Sequence, residues 1–346
     1  MDLIRTGLQN LDDARANLDR LKADGVSDER LVGMLKALSK ACDPDCALSN
    51  FVDITNAMQS QGRDFDAMVP DEAALERLIT VLGVSDEMGK LMRFRPELVE
   101  AAANDACESH LYNHEQRRAH VLKSVGADPN DHTMPTASLP LAEAATALRK
   151  TYRKQLAAIM AQDATANDPI EIQPRISTEL SDLADAALEG ALAIARHEVD
   201  GSEHVRFAII GMGKLGAQEL NYVSDVDLIY VVEPADMDTN GMALSRIGTK
   251  IATTLQRVCQ SVIMGVAEPT LWQIDGGLRP EGKDGPLVRR LESHEAYYEQ
   301  WAENWEFQAL LKARPVAGDT DLGQAYMDMT RPFVWTASKR DNFVYD

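Results

Sequence analysis

Between Val205 and Val232 the hydrophobic pattern stops repeating every three to four residues. It becomes two short β-rich runs, Val205–Ile210 and Leu228–Val232, joined by a glycine-rich connector that ends in two acids. The connector opens Gly211-Met-Gly-Lys-Leu-Gly216 and closes Ser224-Asp225-Val226-Asp227. Residues two apart on a strand face the same way. Asp225 and Asp227 therefore project together, beside a turn whose glycines let backbone N–H groups approach an anion. Two adjacent carboxylates repel unless a cation sits between them, and hard oxygen ligands favour Mg²⁺ or Mn²⁺. A third run, Leu271–Asp275, stops at Gly276-Gly277 and offers Asp275 as a third acid. Three such carboxylates suit a two-metal centre for phosphoryl or nucleotidyl transfer.

Everything around this segment reads as helix. Leu75, Leu78, Ile79 and Leu82 recur at helical spacing behind the start signal Pro70-Asp71-Glu72, with Gly83 as the expected stop. Leu31, Met34, Leu35 and Leu38 form an earlier stripe. Ser85-Asp86-Glu87 opens a helix whose Met88 and Met92 are expected in the core, and Pro96 suits the first turn of the next. Residues 126–140 hold three prolines and small polar residues, the strongest linker signal in the chain. Helices follow over Leu148–Ile159 and Leu180–Leu192, with a break at Asp163–Pro174. Another from Leu244 is expected to put Ile247, Ile251, Leu255, Val258 and Val262 on one face, and a long one covers 291–314.

The pattern predicts an α+β chain. Residues 1–138 are expected to form a helical amino-terminal region, and 139–318 a catalytic domain with its core at 203–290. Residues 319–346 would begin a further helical region, and the ending at Asp346, without helix stop or polar tail, is expected of a fragment cut from a longer chain.

Composition narrows the function. Lys and Arg number 35 against 55 Asp and Glu, a formal charge of −20, which argues against nucleic acid as the main partner. No apolar run is long enough for a membrane span, and the first residues lack a signal-peptide pattern, so a cytoplasmic protein is expected. The four cysteines, at 42, 46, 107 and 259, form no CxxC pair and read as reduced thiols. A zinc site at Cys107, His110 and His114 is the lesser alternative.

Gly211-x-Gly213-x-x-Gly216 matches the dinucleotide-binding fingerprint on its face. That fingerprint needs a crossover helix and then an acid at the far end of the next strand, about 20 residues on. Asp225 comes only nine positions after Gly216, ahead of the apolar run. The P-loop pattern fails as well, because Lys214 lacks both the preceding Gly-x-x-x-x-Gly and a following Ser or Thr. The turn and the acids fit better as parts of one phosphate site, with Gly213, Lys214 and Ser224 as nucleotide or phosphate contacts. The loop after Asp275 carries Arg279, Lys283, Arg289 and Arg290 in an otherwise acidic chain and is placed to embrace phosphates. Lys312 and Arg314, on the helix expected over 291–314, add cations. Trp305 is a candidate aromatic wall there, although Trp301 and Trp305 at i, i+4 read first as core packing.

Three stretches together resemble the bacterial glutamine synthetase adenylyltransferase/adenylyl-removing enzyme family. They are Gly211–Leu228, Ile274-Asp-Gly-Gly-Leu-Arg-Pro-Glu-Gly-Lys-Asp-Gly-Pro-Leu-Val288, and Trp305-Glu-Phe-Gln-Ala-Leu-Leu-Lys-Ala-Arg-Pro-Val-Ala-Gly-Asp319. The resemblance implies a DNA polymerase β-like nucleotidyltransferase fold, with Asp225, Asp227 and Asp275 as metal ligands. Gly213-Lys214 stands where that fold usually has Gly-Ser. Family members pair an amino-terminal half that phosphorolyses AMP from a glutamine synthetase tyrosine, giving ADP, with a carboxy-terminal half that attaches AMP from ATP. Arg279–Val288 looks more like the amino-terminal version, so adenylyl removal is expected. Forward transfer and a non-catalytic docking module are the alternatives. Glutamine synthetase, phosphate, ADP or ATP and a PII signal protein are the implied partners.

Overall fold

The computed structural model describes residues 3–104, 112–236 and 240–339. The chain divides into two compact units, one of residues 1–112 with 153–176, the other of 113–152 with 177–346. This division sets in at Tyr112, ahead of the proline-rich stretch. Residues 126–140 carry no helix or strand but are tied into the second unit: the Ala137 N–H donates to Ala193 O at 3.0 Å and the Ser138 hydroxyl to Gly126 O at 2.7 Å.

The first unit is helical. Its helices are α1 (Leu11–Ala23), α2 (Asp28–Leu38), α3 (Pro44–Ser60), α4 (Phe65–Met68), α5 (Glu72–Val84), α6 (Asp86–Phe94) and α7 (Pro96–Ala103). Each start has a chemical cause. Ser27, Asp43, Asp71 and Ser85 accept a backbone N–H of the first turn, and Pro44 and Pro96 sit where no N–H is needed. Leu31, Met34, Leu38, Leu75, Leu78, Ile79, Leu82, Met88 and Met92 are buried in one cluster with Phe51 and Ile54. Gly83 lies inside α5 rather than after it. A Cβ there would lie 3.1 Å from both the Ala41 methyl and the Asp43 carbonyl, so glycine serves close packing, not termination.

In the second unit, α8 (His114–Ser124) precedes the long helices α9 (Leu141–Ala164) and α10 (Pro169–Glu198), both of which extend into the residues of the first unit. Pro174 lies inside α10, so the expected break at 163–174 shrinks to the few residues before Pro169. Strand β1 (Val205–Gly211), the one-turn helix α11 (Gly213–Gly216) and β2 (Val226–Pro234) follow. Then come α12 (Gly241–Gln260), β3 (Ile274–Asp275), β4 (Val288–Arg289), α13 (Leu291–Gln300), α14 (Asn304–Leu310), β5 (Arg314–Gly318) and α15 (Thr320–Ala337). The sheet runs β3-β2-β1-β5, with β4 also on β2; β1 is antiparallel to β2 and β5, and β2 is parallel to β3 and β4. The chain is thus mainly helical with one small mixed sheet, an α+β protein.

Strand β1 is buried along nearly its whole length. Ala208 and Ile210 pack with Ile229, Val231, Tyr298, Phe307 and Tyr326, while Phe207 meets Tyr230 on the alternate face. Both faces covered is why the run reads as continuously apolar rather than alternating. The helix expected over 291–314 is broken: it stops at Gln300, resumes at Asn304, and Arg314 already belongs to β5. Its two tryptophans are correspondingly not core residues. Trp301 is 72% exposed and Trp305 42%. Val262 lies beyond the end of α12 and is likewise exposed. Among the described residues no helix is long and apolar enough to cross a membrane.

One core residue ties stability to pH. His294 on α13 is buried against Tyr298 and Tyr326. Burial pushes its imidazole down to about 3, the charge of Arg289 adds to this, and a contact with the Tyr230 backbone opposes it. Between about pH 3 and 6.5 the unfolded chain binds a proton that the folded chain refuses. Stability from this group is therefore complete above about 6.5 and declines as pH falls below it, by roughly 5 kcal/mol at the limit. His294→Phe is expected to flatten the acid limb of a urea-unfolding series from pH 7 to 4. An unchanged slope would show that the imidazole accepts its proton in place.

Candidate active site

The glycine turn and the acids are brought together by an antiparallel pair. β1 and β2 run in opposite directions with Gly211 opposite Leu228, so the connector from Met212 to Asp225 folds back over the end of both strands. Between them lies only one helical turn, α11, which leaves no crossover helix of the dinucleotide-binding kind. The Met212 N–H donates to Asp227 O at 2.9 Å, which fixes the turn against the second acid.

Gly213 has φ +54°, and a Cβ on it would stand 2.5 Å from Asp227 Oδ2. Only glycine both adopts that backbone and leaves room for the carboxylate. Gly216 is equally constrained, since a Cβ there would overlap the Lys312 carbonyl at 1.9 Å.

The third acid arrives by register. β3 is parallel to β2, with Val226 opposite Ile274 and Asp227 opposite Asp275. Asp275 Oδ1 accepts the Gly277 N–H at 2.7 Å, so the Gly-Gly after the strand orients this carboxylate. Asp225 is exposed, while Asp227 and Asp275 are half-buried. Burial raises the Asp227 carboxyl above the usual carboxylate range; the charges of Asp225 and Asp275 raise it further, and Lys214 opposes them. A carboxyl raised by burial and by two acidic neighbours marks a site short of positive charge. An all-oxygen donor set of this kind fits Mg²⁺ or Mn²⁺. The Ser224 hydroxyl, next to Asp225, is buried and has no hydrogen-bond partner among the described residues, a donor left over for a ligand.

The expected cations divide. Arg279 turns inward on its own loop, donating to the carbonyls of Gly276 (2.6 Å), Lys283 (3.1 Å) and Gly285 (3.1 Å). Arg290 pairs with Glu233 at 2.9 Å, and Arg289 pairs with Glu281. Lys312, between α14 and β5 rather than on a helix, pairs with Glu219 at 2.7 Å. Arg314 is held by Asp185 at 2.5 Å and donates to the carbonyls of Leu215 (3.1 Å) and Gly216 (3.3 Å), so it braces the glycine turn from beneath. Lys214 and Lys283 are exposed, and no ion pair holds either among the described residues.

A second group of possible metal donors is absent from the sequence reading. His114, Asp182 and Asp185 offer ligand atoms all within 4.8 Å of one another. A hydrogen bond to Asp185 raises the His114 imidazole above its ordinary value, and burial raises Asp182. The i, i+3 spacing on α10 was the legible half of this signal; the imidazole comes from 68 residues earlier. Of the cysteine–histidine alternative, Cys107 and His110 lie outside the described residues.

The family model for glutamate-ammonia ligase adenylyltransferase matches residues 75–329. The chain belongs to this family. The bifunctional glutamine synthetase adenylyltransferase/adenylyl-removing enzyme of Bifidobacterium longum (strain DJO10A) is 76% identical over 346 residues, which is 100% of this chain and 32% of that protein. The protein of the same description from Cutibacterium acnes is 40% identical over 99% of this chain and 34% of its own length. That from Streptomyces avermitilis is 39% identical over 96% of this chain and 30% of its own. The chain thus spans about a third of the length of the curated relatives it matches.

Proposed function

We propose that the second unit is a DNA polymerase β-like nucleotidyltransferase centre that removes AMP from a tyrosine of glutamine synthetase by phosphorolysis, releasing ADP. The observation that carries the reading is the register of β2 on β3, which sets Asp275 opposite Asp227, with Gly213 packed against the Asp227 carboxylate. Mg²⁺ or Mn²⁺ held by Asp225, Asp227 and Asp275 would neutralise charge on the transferring phosphoryl group. The chain's own residues supply the rest. The turn at Gly213–Leu215 presents backbone N–H groups to phosphate oxygens, the Ser224 hydroxyl donates to one of them, and Lys214 and Lys283 add charge that no ion pair consumes among the described residues. Arg279 shapes its loop through carbonyls, and Arg314 keeps the turn in place.

An oxygen of inorganic phosphate attacks the α-phosphorus of tyrosyl-AMP, the bond from phosphorus to the tyrosyl oxygen breaks, and that oxygen takes up the proton lost by the phosphate. Phosphate is anionic at neutral pH and needs no dedicated base. The Arg279-Pro-Glu-Gly-Lys-Asp-Gly-Pro-Leu-Val288 stretch, which looks like the amino-terminal version of the family, supports this direction over AMP transfer from ATP; the names of the bifunctional relatives cover both directions.

Two parallel incubations test it. Adenylylated glutamine synthetase with phosphate and Mg²⁺ is expected to yield ADP, whereas unmodified enzyme with ATP should gain no AMP. The reverse outcome would assign forward transfer, and binding without turnover in both would leave a docking module.

A further inference from the structure

The acids of the sheet do not exhaust the metal-binding chemistry of the second unit. On α10, Asp182 and Asp185 are three residues apart and so lie side by side. His114, the first residue of α8, faces them with Nε2 3.5 Å from Asp185 Oδ2. The Asp185 side chain is fully buried and bound by both terminal nitrogens of Arg314, at 2.5 and 3.2 Å. A carboxylate offers about four lone-pair sites, so the guanidinium uses about half of them. Asp182 receives only the neutral Gln218 amide, at 3.2 Å, and among the described residues no lysine or arginine forms a salt bridge with it. Two carboxylates thus lie beside one guanidinium, and they border a cavity of about 450 Å³ that Glu115 also lines, together with Glu189 in its ion pair with Arg118.

We propose that His114, Asp182 and Asp185 form a second divalent-cation site, separate from Asp225, Asp227 and Asp275, with water from the cavity completing the coordination. One imidazole nitrogen beside two carboxylate oxygens selects first-row transition ions such as Mn²⁺, Co²⁺ or Zn²⁺ over Mg²⁺. Ligands about 2.1 Å from one ion stand at most about 4.2 Å apart, so the widest pair must close by a few tenths of an ångström. His114 is partly exposed and has the freedom to do so. The site is not isolated from the sheet. Arg314, which shares Asp185 with the cation, also props Leu215 and Gly216, so occupancy acts on the turn that carries Gly213.

The test uses Co²⁺ alone and a tag-free chain carrying Asp225→Asn and Asp227→Asn, which removes the sheet acids from competition and makes the outcome independent of the proposed reaction. One Co²⁺ per chain is expected in equilibrium dialysis. A paramagnetically shifted, exchangeable imidazole N–H resonance should accompany it, a signature that an all-carboxylate site does not produce. His114→Gln should erase that resonance and weaken retention about tenfold or more. Asp182→Asn, which keeps the side-chain shape beside Gln218, should weaken retention as well, with far-UV circular dichroism unchanged in both. Absence of retained Co²⁺ in the Asp225/Asp227 variant, or a shifted resonance that survives His114→Gln, overturns the proposal.

Discussion

Asp225→Asn combined with Asp227→Asn is expected to lower Mg²⁺-dependent AMP release from adenylylated glutamine synthetase on the order of 10³-fold or more, with little change in thermal stability. The asymmetry follows from where the charges sit. Asp225 is exposed, and the Asp227 carboxyl is raised by burial, then by its two acidic neighbours, so the folded chain holds these charges at a cost. Removing two of them relieves repulsion while deleting the ligands that a cation needs. Measuring kcat with excess Mg²⁺ and the unfolding midpoint on the same samples separates the two effects. Full activity in the double variant would overturn the assignment of the site.

The second large effect is expected from a single methyl group. Gly213→Ala places a Cβ 2.5 Å from Asp227 Oδ2 on a backbone with φ +54°. The left-handed conformation costs an L-residue about 1–2 kcal/mol, a tolerable loss of stability. The carboxylate, however, must rotate or retreat. A displacement of about 1 Å at a reacting centre costs on the order of 10²-fold in rate, and here it falls on a proposed metal ligand. Activity should therefore drop while the Mg²⁺ concentration needed for half-activation rises. Wild-type Mg²⁺ dependence in Gly213→Ala would show that Asp227 gives way without consequence, and the turn would lose its assigned part in shaping the site.

Much of this site is legible from short-range pattern. A period of two predicts Asp225 and Asp227 on one face; the strand itself begins at Val226, so Asp225 stands just ahead of it. The spacing from Gly216 to Asp225 leaves no room for a crossover helix, in keeping with the single turn of α11 and the antiparallel β1–β2 pair. Misreadings arise where one local pattern has two tertiary outcomes. Trp301 and Trp305 at i, i+4 read as a core stripe, yet the helix breaks between Gln300 and Asn304 and both rings face solvent to a large extent. Gly83 reads as a helix stop, but a close approach of Asp43 and Ala41 asks for the same residue. For the cations, the structure adds partners that no motif shows. Arg279, Lys312 and Arg314 stand near the acids in sequence motifs, and each is taken up by a carbonyl or a carboxylate.

What the sequence by itself determined is therefore the local pattern: one acid just before a strand and one inside it, a glycine turn ahead of them, and a third acid at the end of a further strand. These depend on backbone periodicity and on the steric freedom of glycine, which act within a few residues. Only the tertiary structure decided that Asp275 stands opposite Asp227, that Arg314 braces the turn through Asp185, and that His114 meets Asp182 and Asp185. Those are pairings between segments tens of residues apart. Strand register and helix packing select them by burial and charge balance over the whole unit, and no local repeat records which partner each side chain will find.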